Sequence, residues 1–207
     1  MKKFLHIIAT PRNEESRTLR VSRSFLEAFR QNHGDWAFDE LNLTKEILPA
    51  LTAKRADGKY MLLTGKDLEG DLKEAWADII AQIERFLSAD VCLISTPMWN
   101  FGIPYTLKHY IDIIAQPKYL FRYTKTGVEG LAKGKRMVII ASRGGDYTSP
   151  ERRKMDFQEP YLRAVFGFVG ITDIKFIAVQ PMDMGAELQE QRIKEAQRLA
   201  QEMAAQI

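Results

Sequence analysis

The sequence is poor in cysteine and histidine. Among its 207 residues there are one cysteine, Cys92, and three histidines, His6, His33 and His109. A single cysteine excludes an internal disulfide and a multi-cysteine metal site, and it favours a cytoplasmic protein. The histidines are far apart in the sequence, so we predict no metal site.

Long apolar runs and blocks of one charge are also missing. No stretch approaches the roughly 18 to 20 apolar residues that cross a bilayer, so we predict no membrane segment. The apolar run that follows the two N-terminal lysines is short and meets Pro11 and Arg12, which indicates a buried strand instead of a signal peptide. The 30 basic and 27 acidic residues are interleaved and leave a net charge of +3, so nucleic acid is not an expected partner.

Several short apolar runs predict strands. Four of them, which begin at Phe4, Val91, Met137 and Ile174, are rich in β-branched residues and do not alternate, as is typical of parallel strands covered on both faces. A fifth run, AFDELNL from Ala37, is more amphipathic and predicts an edge strand. Segments of helical period lie between these runs. The alternation predicts the α/β class, with a doubly wound, five-stranded parallel sheet and helices on both faces, in a single domain over residues 1–207.

Two segments fit this alternation poorly. Residues Thr52 to Glu69 are too polar for a core element and form either a mobile loop or an exposed helical excursion. Residues Lys118 to Gly130 alternate aromatic and polar positions and then meet a glycine, which indicates a small excursion or hairpin. Ligands of doubly wound sheets bind beyond the carboxyl ends of the strands, so we expect the functional residues in the loops there.

The first of these loops, Thr10 to Thr18 (TPRNEESRT), leaves a strand and enters a helix. A helix start offers unpaired N–H groups and a positive dipole end, and Ser16 and Thr18 add hydroxyls, so the loop suits a phosphate monoester. The GxGxxG and GxxxxGK patterns are absent, which argues against a dinucleotide fingerprint and a Walker loop. A second interpretation stays open, in which Ser16 only caps the helix. We expect Glu14 and Glu15 to face solvent.

The second loop is TPMWNFGIP, which begins at Thr96. Pro97 and Pro104 constrain its backbone, Gly102 permits a tight path, and Met98 to Phe101 place large side chains at the end of a strand. Such a stiff turn can supply an apolar wall and backbone donors for a flat aromatic ring. The alternative is a hydrophobic turn that a neighbouring element or a dimer partner buries.

The third loop is SRGGDYTS, from Ser142 to Ser149. Gly144 and Gly145 allow positive backbone dihedrals and a close approach of N–H groups to a ligand, so this loop could bind the polar edge of the same ring. The same residues could instead form an ordinary glycine turn. The stronger signal is that all three loops are predicted at one edge of the sheet.

Together these segments resemble the FMN-dependent NADH-azoreductase family, a branch of the flavodoxin-like quinone reductases. The resemblance rests on the loop ending in Ser16-Arg17-Thr18 and on PMWNFGIP, YTKTGVEGL, SRGG and MDFQEPYLRAVFGFVGI. It implies a flavodoxin-like fold, a homodimer, and ping-pong transfer of two electrons from NADH or NADPH, through FMN, to quinones or azo compounds. No catalytic acid or base is implied, because the cofactor carries the chemistry.

By position, the resemblance also assigns site residues. The residues assigned to the FMN phosphate are Thr10, Ser16, Arg17 and Thr18. Those assigned to the flavin ring are Pro97, Met98, Trp99, Asn100 and Phe101. Those assigned to the ring edge are Ser142, Arg143, Gly144 and Gly145. Tryptophan stands at position 99 where the family usually has tyrosine, which keeps an aromatic surface and removes a hydroxyl.

The resemblance assigns aromatic residues to the wall of the substrate cavity, some of them from the partner subunit: Phe121, Tyr123, Phe157 and Phe168. Core packing is an equal alternative for Phe157, and it is favoured for Phe168, which lies in an apolar helical run. Arg122 bears on substrate choice, and with Lys125 it could favour NADPH. The sequence decides neither the nucleotide nor the natural acceptor.

Two functions of other classes compete with this interpretation. A flavodoxin-type electron carrier would bind FMN without a substrate pocket of its own, although such carriers are commonly acidic and shorter. A phosphate-ester hydrolase that used the Ser16 loop would need a metal cluster or a nucleophile with a base, and the sequence shows neither. Reduction by NADH separates the reductase from the carrier.

Overall fold

The computed structural model describes residues 1–207 and contains a parallel sheet, a small hairpin and flanking helices. The strands are β1 (Lys3–Ile8), β2 (Ala37–Asn42), β3 (Val91–Pro97), β4 (Phe121–Thr124), β5 (Gly127–Gly130), β6 (Arg136–Ser142) and β7 (Asp173–Val179). The helices are α1 (Arg17–Asn32), α2 (Ala53–Leu63), α3 (Gly70–Ala75), α4 (Ala77–Leu87), α5 (Tyr105–Ile114), α6 (Pro150–Arg153), α7 (Glu159–Phe168) and α8 (Ala186–Ala204).

Five parallel strands form the main sheet in the order β2-β1-β3-β6-β7, which confirms the predicted fold class. The register places Ile8 beside Ser95, Pro97 beside Ser142, and Ser142 beside Val179. The carboxyl ends of β1, β3, β6 and β7 therefore meet at one edge. The chain changes direction across the sheet between β1 and β3, and this is the position at which doubly wound folds bind ligands.

Side chains on the two faces of the sheet belong to two separate apolar clusters. On one face Leu5, Ile94 and Ile139 pack in a cluster that includes residues of α4, α5 and α7. On the other face Phe4 and Leu93 pack with residues of α1 and α8. Strand residues that point to opposite faces are thus mostly apolar, which explains why the central runs do not alternate. Helices cover both faces, as predicted.

The two edge strands differ from the central ones. The prediction that the Ala37 run forms an edge strand is confirmed, because β2 pairs only with β1. The prediction that the Ile174 run is covered on both faces is confirmed, because Ile177 and Val179 belong to one apolar cluster and Ile174 and Phe176 pack against the other, although the first half of the run is covered less completely. This run forms β7, the other edge of the sheet, and its residues alternate between exposed and partly buried positions as far as Phe176. Its apolar composition did not distinguish an edge from the centre.

Both unusual segments take one of the forms considered for them. Residues 53–63 form helix α2, an exposed helical excursion capped by Thr52, whose hydroxyl accepts a bond from the N–H of Arg55 at 3.4 Å. Strands β4 and β5 form an antiparallel hairpin in which Thr124 pairs with Gly127. None of the helices combines the length and the apolar composition needed to cross a membrane.

Candidate active site

A cleft with a volume of about 250 Å³ lies where β1, β3, β6 and β7 end. Three loops that follow these strands supply most of its wall. The predicted cofactor residues that line it are Thr10, Ser16, Arg17, Pro97, Met98, Trp99, Ser142, Arg143 and Gly144. The remaining predicted residues are not part of its lining but lie within two positions of residues that are: Thr18, Asn100, Phe101 and Gly145.

The first loop brings hydroxyl groups to the start of α1. Ser16 caps the helix, because its Oγ accepts a hydrogen bond from the N–H of Leu19 at 3.3 Å, and it also lines the cleft. Thr10 Oγ1 lies 3.2 Å from Ser16 Oγ, and Thr18 Oγ1 lies 2.7 Å from Ser142 Oγ. The capping interpretation is therefore correct, and the same serine stands at the positive end of a 16-residue helix.

Charged side chains near this helix start divide into two groups. Arg12 and Arg17 line the cleft. Glu14 and Glu15 are exposed, as predicted. Glu14 pairs with Arg23 at 2.5 Å, and Glu15 pairs with Arg12 at 3.3 Å. The helix start and the two cleft arginines together favour an anion at this end of the cleft.

The second loop contains a tight two-residue turn. Trp99 and Gly102 exchange backbone hydrogen bonds of 3.1 and 2.9 Å, and the residues between them, Asn100 and Phe101, have φ of +48° and +68°. Positive φ at both central positions is typical of the type I′ turn. The prediction that Gly102 permits the tight path is wrong, because Gly102 has no positive φ. The left-handed backbone falls on a bulky phenylalanine, where it stores strain of about 1–3 kcal/mol.

The third loop is held against the loop that follows β7. The N–H of Asp183 donates to the carbonyl of Gly144 at 3.1 Å, and a Cβ added to Gly144 would lie 2.4 Å from Asp183 Oδ2. Neither Gly144 nor Gly145 has a positive φ, so the dihedral argument for these glycines is wrong. At position 144 the absence of a side chain instead allows the close approach of the Asp183 carboxylate.

Arg143 combines a place in the cleft wall with a buried guanidinium. Only 3% of its side chain is exposed, and Nη1 lies 3.0 Å from Asp156 Oδ2. Its Nε donates to Gln158 Oε1 at 3.1 Å. Burial lowers the pKa of the guanidinium, and Asp156 and Glu159 act against this shift. This side chain thus connects the third loop with the residues before α7.

Sequence reasoning missed three residues of the cleft: Arg12, Met182 and Asp183. Arg12 lies inside the loop that was singled out, but only its hydroxyl-bearing neighbours were assigned. Met182 and Asp183 follow β7, whose strand was recognised. Its carboxyl end must lie at the same edge as those of the other parallel strands, so this loop could have been found by the argument that found the others.

The aromatic residues assigned to the substrate cavity fall into two places. Phe157 is 63% exposed, and its N–H donates to the carbonyl of Phe101 at 3.0 Å, beside the second loop. Phe121 packs against Tyr123 and Phe168, with ring centroids 5.8 and 4.7 Å away. This second group lies on the hairpin and at the end of α7, and none of its members lines the cleft.

The second aromatic group is exposed in part. Phe121 is buried, whereas Tyr123 and Phe168 are 62% and 42% exposed. The expectation that Phe168 packs in the core is therefore wrong. Phe168 ends α7 shortly before β7 begins, so it lies toward the amino edge of the sheet, opposite the cleft. Arg122 forms an ion pair with Glu129 in the same hairpin, at 2.7 Å.

Cysteine and histidine side chains lie outside the cleft wall. Burial raises the pKa of the Cys92 thiol to about 12, so Cys92 behaves as a small apolar residue, as predicted. His6 is buried and its Nε2 lies 2.7 Å from Ser95 Oγ. His109 Nε2 lies 3.0 Å from the carbonyl of Pro49. The structure contains no group of three His, Cys, Asp or Glu side chains arranged to hold a metal ion.

Comparison with known proteins places this geometry in a family. A family profile described as a flavodoxin-like fold matches residues 2–203. The FMN-dependent NADH:quinone oxidoreductase of Sinorhizobium medicae is 36% identical over 199 residues, which are 95% of this chain and 94% of that protein. The corresponding protein of Coprothermobacter proteolyticus is 35% identical over 208 residues and the whole of both chains.

Solved structures agree. An azoreductase from Bacillus anthracis superposes with a TM-score of 0.90 at 26% identity over the whole of both chains. An FMN-dependent NADH-azoreductase from the same species, in complex with FMN, gives a TM-score of 0.85 at 28% identity and covers 99% of this chain and all of the other. The predicted resemblance is confirmed. The chain belongs to the flavodoxin-like family that includes the FMN-dependent NADH:quinone oxidoreductases.

Proposed function

We propose that this protein binds FMN and uses NADH to reduce quinones to hydroquinones and to cleave aromatic azo compounds to amines. One observation carries the proposal: a single cleft combines an anion-favouring helix start with a strained aromatic turn. The names of the relatives support the same reaction. The proposed location is the cytoplasm, where reduced nicotinamide nucleotides are made.

The donor groups at the start of α1 fit the phosphate of FMN. A phosphate monoester needs several N–H or O–H donors and a positive field. The first loop offers those N–H groups of the first helical turn that Ser16 does not cap, the hydroxyls of Thr10 and Ser16, and the guanidiniums of Arg12 and Arg17. Thr18 holds this loop to the third loop through Ser142.

The other end of the cleft fits a flat ring. Pro97, Met98 and Trp99 form an apolar and aromatic wall, and the side chain of Trp99 is 41% exposed. Asn100 and Phe101 shape the turn that carries this wall. Next to this wall, where the N–H of Met98 donates to the carbonyl of Ser142 at 2.8 Å, the third loop adds backbone without a side chain at Gly144.

Bound FMN supplies the two-electron redox chemistry that connects NADH to the acceptor. The overall reaction joins NADH, a proton and a quinone to give NAD⁺ and a hydroquinone; an azo bond needs two NADH and two protons to yield two amines. The protein contributes binding, orientation and electrostatics. Arg12 and Arg17 hold negative charge, and the backbone N–H groups of the second and third loops stabilise charge at the ring edge.

We also propose that residues 1–207 form one domain and that two copies assemble as a homodimer. One sheet uses strands from residue 3 to residue 179, and α8 returns to pack on α1, which supports one domain. Phe121, Tyr123 and Phe168 cannot reach the cleft of their own chain, whereas a second copy could bring this aromatic group to it. Exposed apolar groups of this kind favour a protein interface.

The experiment is a redox titration of the retained flavin. Purified protein is mixed with FMN, freed of unbound flavin, reduced with NADH without oxygen, and then treated with benzoquinone. We expect the flavin absorbance to be retained, bleached by NADH and restored by the quinone. Retained flavin that neither NADH nor NADPH bleaches would indicate an electron carrier, and folded protein that retains no flavin would reject the proposal.

A further inference from the structure

The residues that precede α7 contact both loops assigned to the flavin ring. Residues 156–158, here called segment 156–158, lie between α6 and α7. The N–H of Phe157 donates to the carbonyl of Phe101, near the end of the strained turn. The side chain of Gln158 donates through Nε2 to the carbonyl of Pro97 at 2.9 Å, two residues before the turn begins. One short segment thus contacts the second loop both before the turn and inside it.

The same segment holds the third loop. Gln158 Oε1 accepts a hydrogen bond from Arg143 Nε at 3.1 Å, so the one amide connects the second and third loops. Asp156 Oδ2 pairs with Arg143 Nη1 at 3.0 Å. Its Oδ1 accepts from the N–H groups of Gln158 and Glu159 at 3.0 and 3.1 Å, which fixes segment 156–158 to the start of α7.

We propose that Gln158 is a positioning residue that sets the spacing of the two loops between which the FMN ring binds. This inference rests on the proposed function. Gln158 is fully buried, and each of its amide atoms has one partner from a different loop. Burying a side-chain amide costs free energy unless both its oxygen and its nitrogen are hydrogen-bonded. The two hydrogen bonds of Gln158 therefore hold the carbonyl of Pro97 and the guanidinium of Arg143 in place.

The strained turn explains why such positioning matters. Asn100 and Phe101 occupy left-handed backbone conformations, and strained conformations persist only where surrounding contacts hold them. Without the bond from Gln158, the carbonyl of Pro97 keeps only the hydroxyl of Thr96 as a side-chain donor, at 3.1 Å, and the strained turn that follows is held less firmly. The N–H of Met98 still donates to the carbonyl of Ser142 at 2.8 Å, so we expect the bases of the two loops to stay together while Trp99 and the turn beyond it shift relative to Gly144.

The test compares two buried glutamines. Gln116 is also fully buried and donates to a backbone carbonyl, that of Asp112, but it follows α5 at the opposite edge of the sheet. Gln158→Met removes both bonds of the amide at similar side-chain size, and Gln116→Met is the matched control. Gln158→Glu keeps an acceptor for Arg143, replaces the donor to Pro97 by a carboxylate oxygen, and adds an ionisable group at this buried position.

Two readouts are measured on the full chain. In protein freed of flavin, hydrogen exchange of the Trp99 and Gly102 amides reports the turn itself. We expect Gln158→Met to accelerate it about ten-fold, as suits the loss of a buried hydrogen bond, and Gln116→Met to leave it unchanged. We expect the Kd for FMN to rise about ten-fold in Gln158→Met and Gln158→Glu but not in Gln116→Met.

The outcomes separate this inference from the proposed function. Unchanged exchange at Trp99 and Gly102 in Gln158→Met would overturn the positioning role. Equal losses of FMN affinity in Gln158→Met and Gln116→Met would also overturn it, since both would then reflect general destabilisation. Accelerated exchange in Gln158→Met, together with a wild-type protein that binds no FMN, would instead reject the proposed function and leave Gln158 as a contact of the turn alone.

Discussion

The guanidinium of Arg17 and the carboxylate of Asp183 form an ion pair in the cleft, with 2.5 Å between Nη1 and Oδ1. The two side chains come from the loops that follow β1 and β7. The carboxylate of Asp183 also lies against the backbone of Gly144. These two contacts keep it beside the anion-favouring helix start. An anion that enters the cleft has to share Arg17 with this fixed negative charge.

We therefore predict that Asp183→Asn tightens the binding of FMN. The substitution keeps the shape of the side chain and removes a negative charge next to the phosphate position. The expected gain is up to about five-fold, which corresponds to ~1 kcal/mol, the upper end of the range for exposed charge pairs. Arg17→Met is expected to weaken FMN binding by at least as much. Fluorescence titration with FMN and with riboflavin, which lacks the phosphate, measures both effects.

The control for this prediction is Asp173→Asn. Asp173 is paired with Arg136 at 3.5 Å, but it lies at the amino edge of the sheet, so its substitution should leave both flavin affinities unchanged. Riboflavin binding should not change in Asp183→Asn. If that variant weakened FMN and riboflavin equally, Asp183 would be a ligand of the sugar chain and not a competitor of the phosphate.

Two glycines are predicted to respond differently to alanine. The Cβ added at Gly130 would lie 2.3 Å from the backbone nitrogen of Gly170, whereas at Gly102 the nearest atom, the carbonyl oxygen of Trp99, is 3.9 Å away. Backbone cannot move aside as a side chain can. We expect Gly130→Ala to lower the free energy of unfolding by about 1–3 kcal/mol and Gly102→Ala to leave it nearly unchanged. Urea unfolding measures both, and a large loss in Gly102→Ala would contradict the assigned turn geometry.

The fold was predictable because its signals are local. Apolar runs alternating with helical segments were enough to predict the parallel sheet, and the position of the three loops followed from the rule that parallel strands end at one edge. The Ser16 loop could be found because a helix start needs capping and offers donors. None of these steps required knowledge of which side chains meet across the fold.

What could not be predicted depends on contacts between distant residues. The sequence suggested that Gly102 permits the turn, but the positive dihedrals fall on Asn100 and Phe101 because surrounding bonds hold them there. The buried pairing of Arg143 with Asp156 joins residues on different elements and has no local sequence pattern. The exposure of Phe168 likewise depends on where α7 ends relative to the hairpin.

The Arg143–Asp156 pair leads to a prediction about stability. Both side chains are almost completely buried, with 3% and 9% exposed. Removing one partner leaves an uncompensated buried charge, so we expect Arg143→Met to lower the free energy of unfolding by about 3–5 kcal/mol. The double variant Arg143→Met/Asp156→Asn should recover part of this loss. Denaturant unfolding of the single and double variants measures the coupling, and strictly additive losses would show that the two groups do not interact.

The last prediction concerns acid stability and His6. Burial, together with the nearby charge of Arg30, lowers the pKa of His6 from 6.5 to about 3. The unfolded chain therefore binds a proton below about pH 6.5 that the folded protein does not accept until about pH 3. The contribution of His6 to stability is complete above pH 6.5 and is lost as the pH falls through this range, by about 1.4 kcal/mol per pH unit.

The measurement is the free energy of unfolding of the wild type, His6→Gln and His33→Gln between about pH 7 and about pH 4. Glutamine at position 6 keeps a polar group near Ser95 Oγ, which bonds His6 Nε2 at 2.7 Å, and it does not titrate. We expect His6→Gln to lose less stability than the wild type as the pH falls, because it lacks the imidazole whose protonation favours the unfolded chain. His33, which bonds the carbonyl of Phe29 at a helix end, is the control, and its variant should follow the wild type. Parallel curves for the wild type and His6→Gln would mean that His6 accepts its proton in the folded state, and that its burial does not keep it neutral.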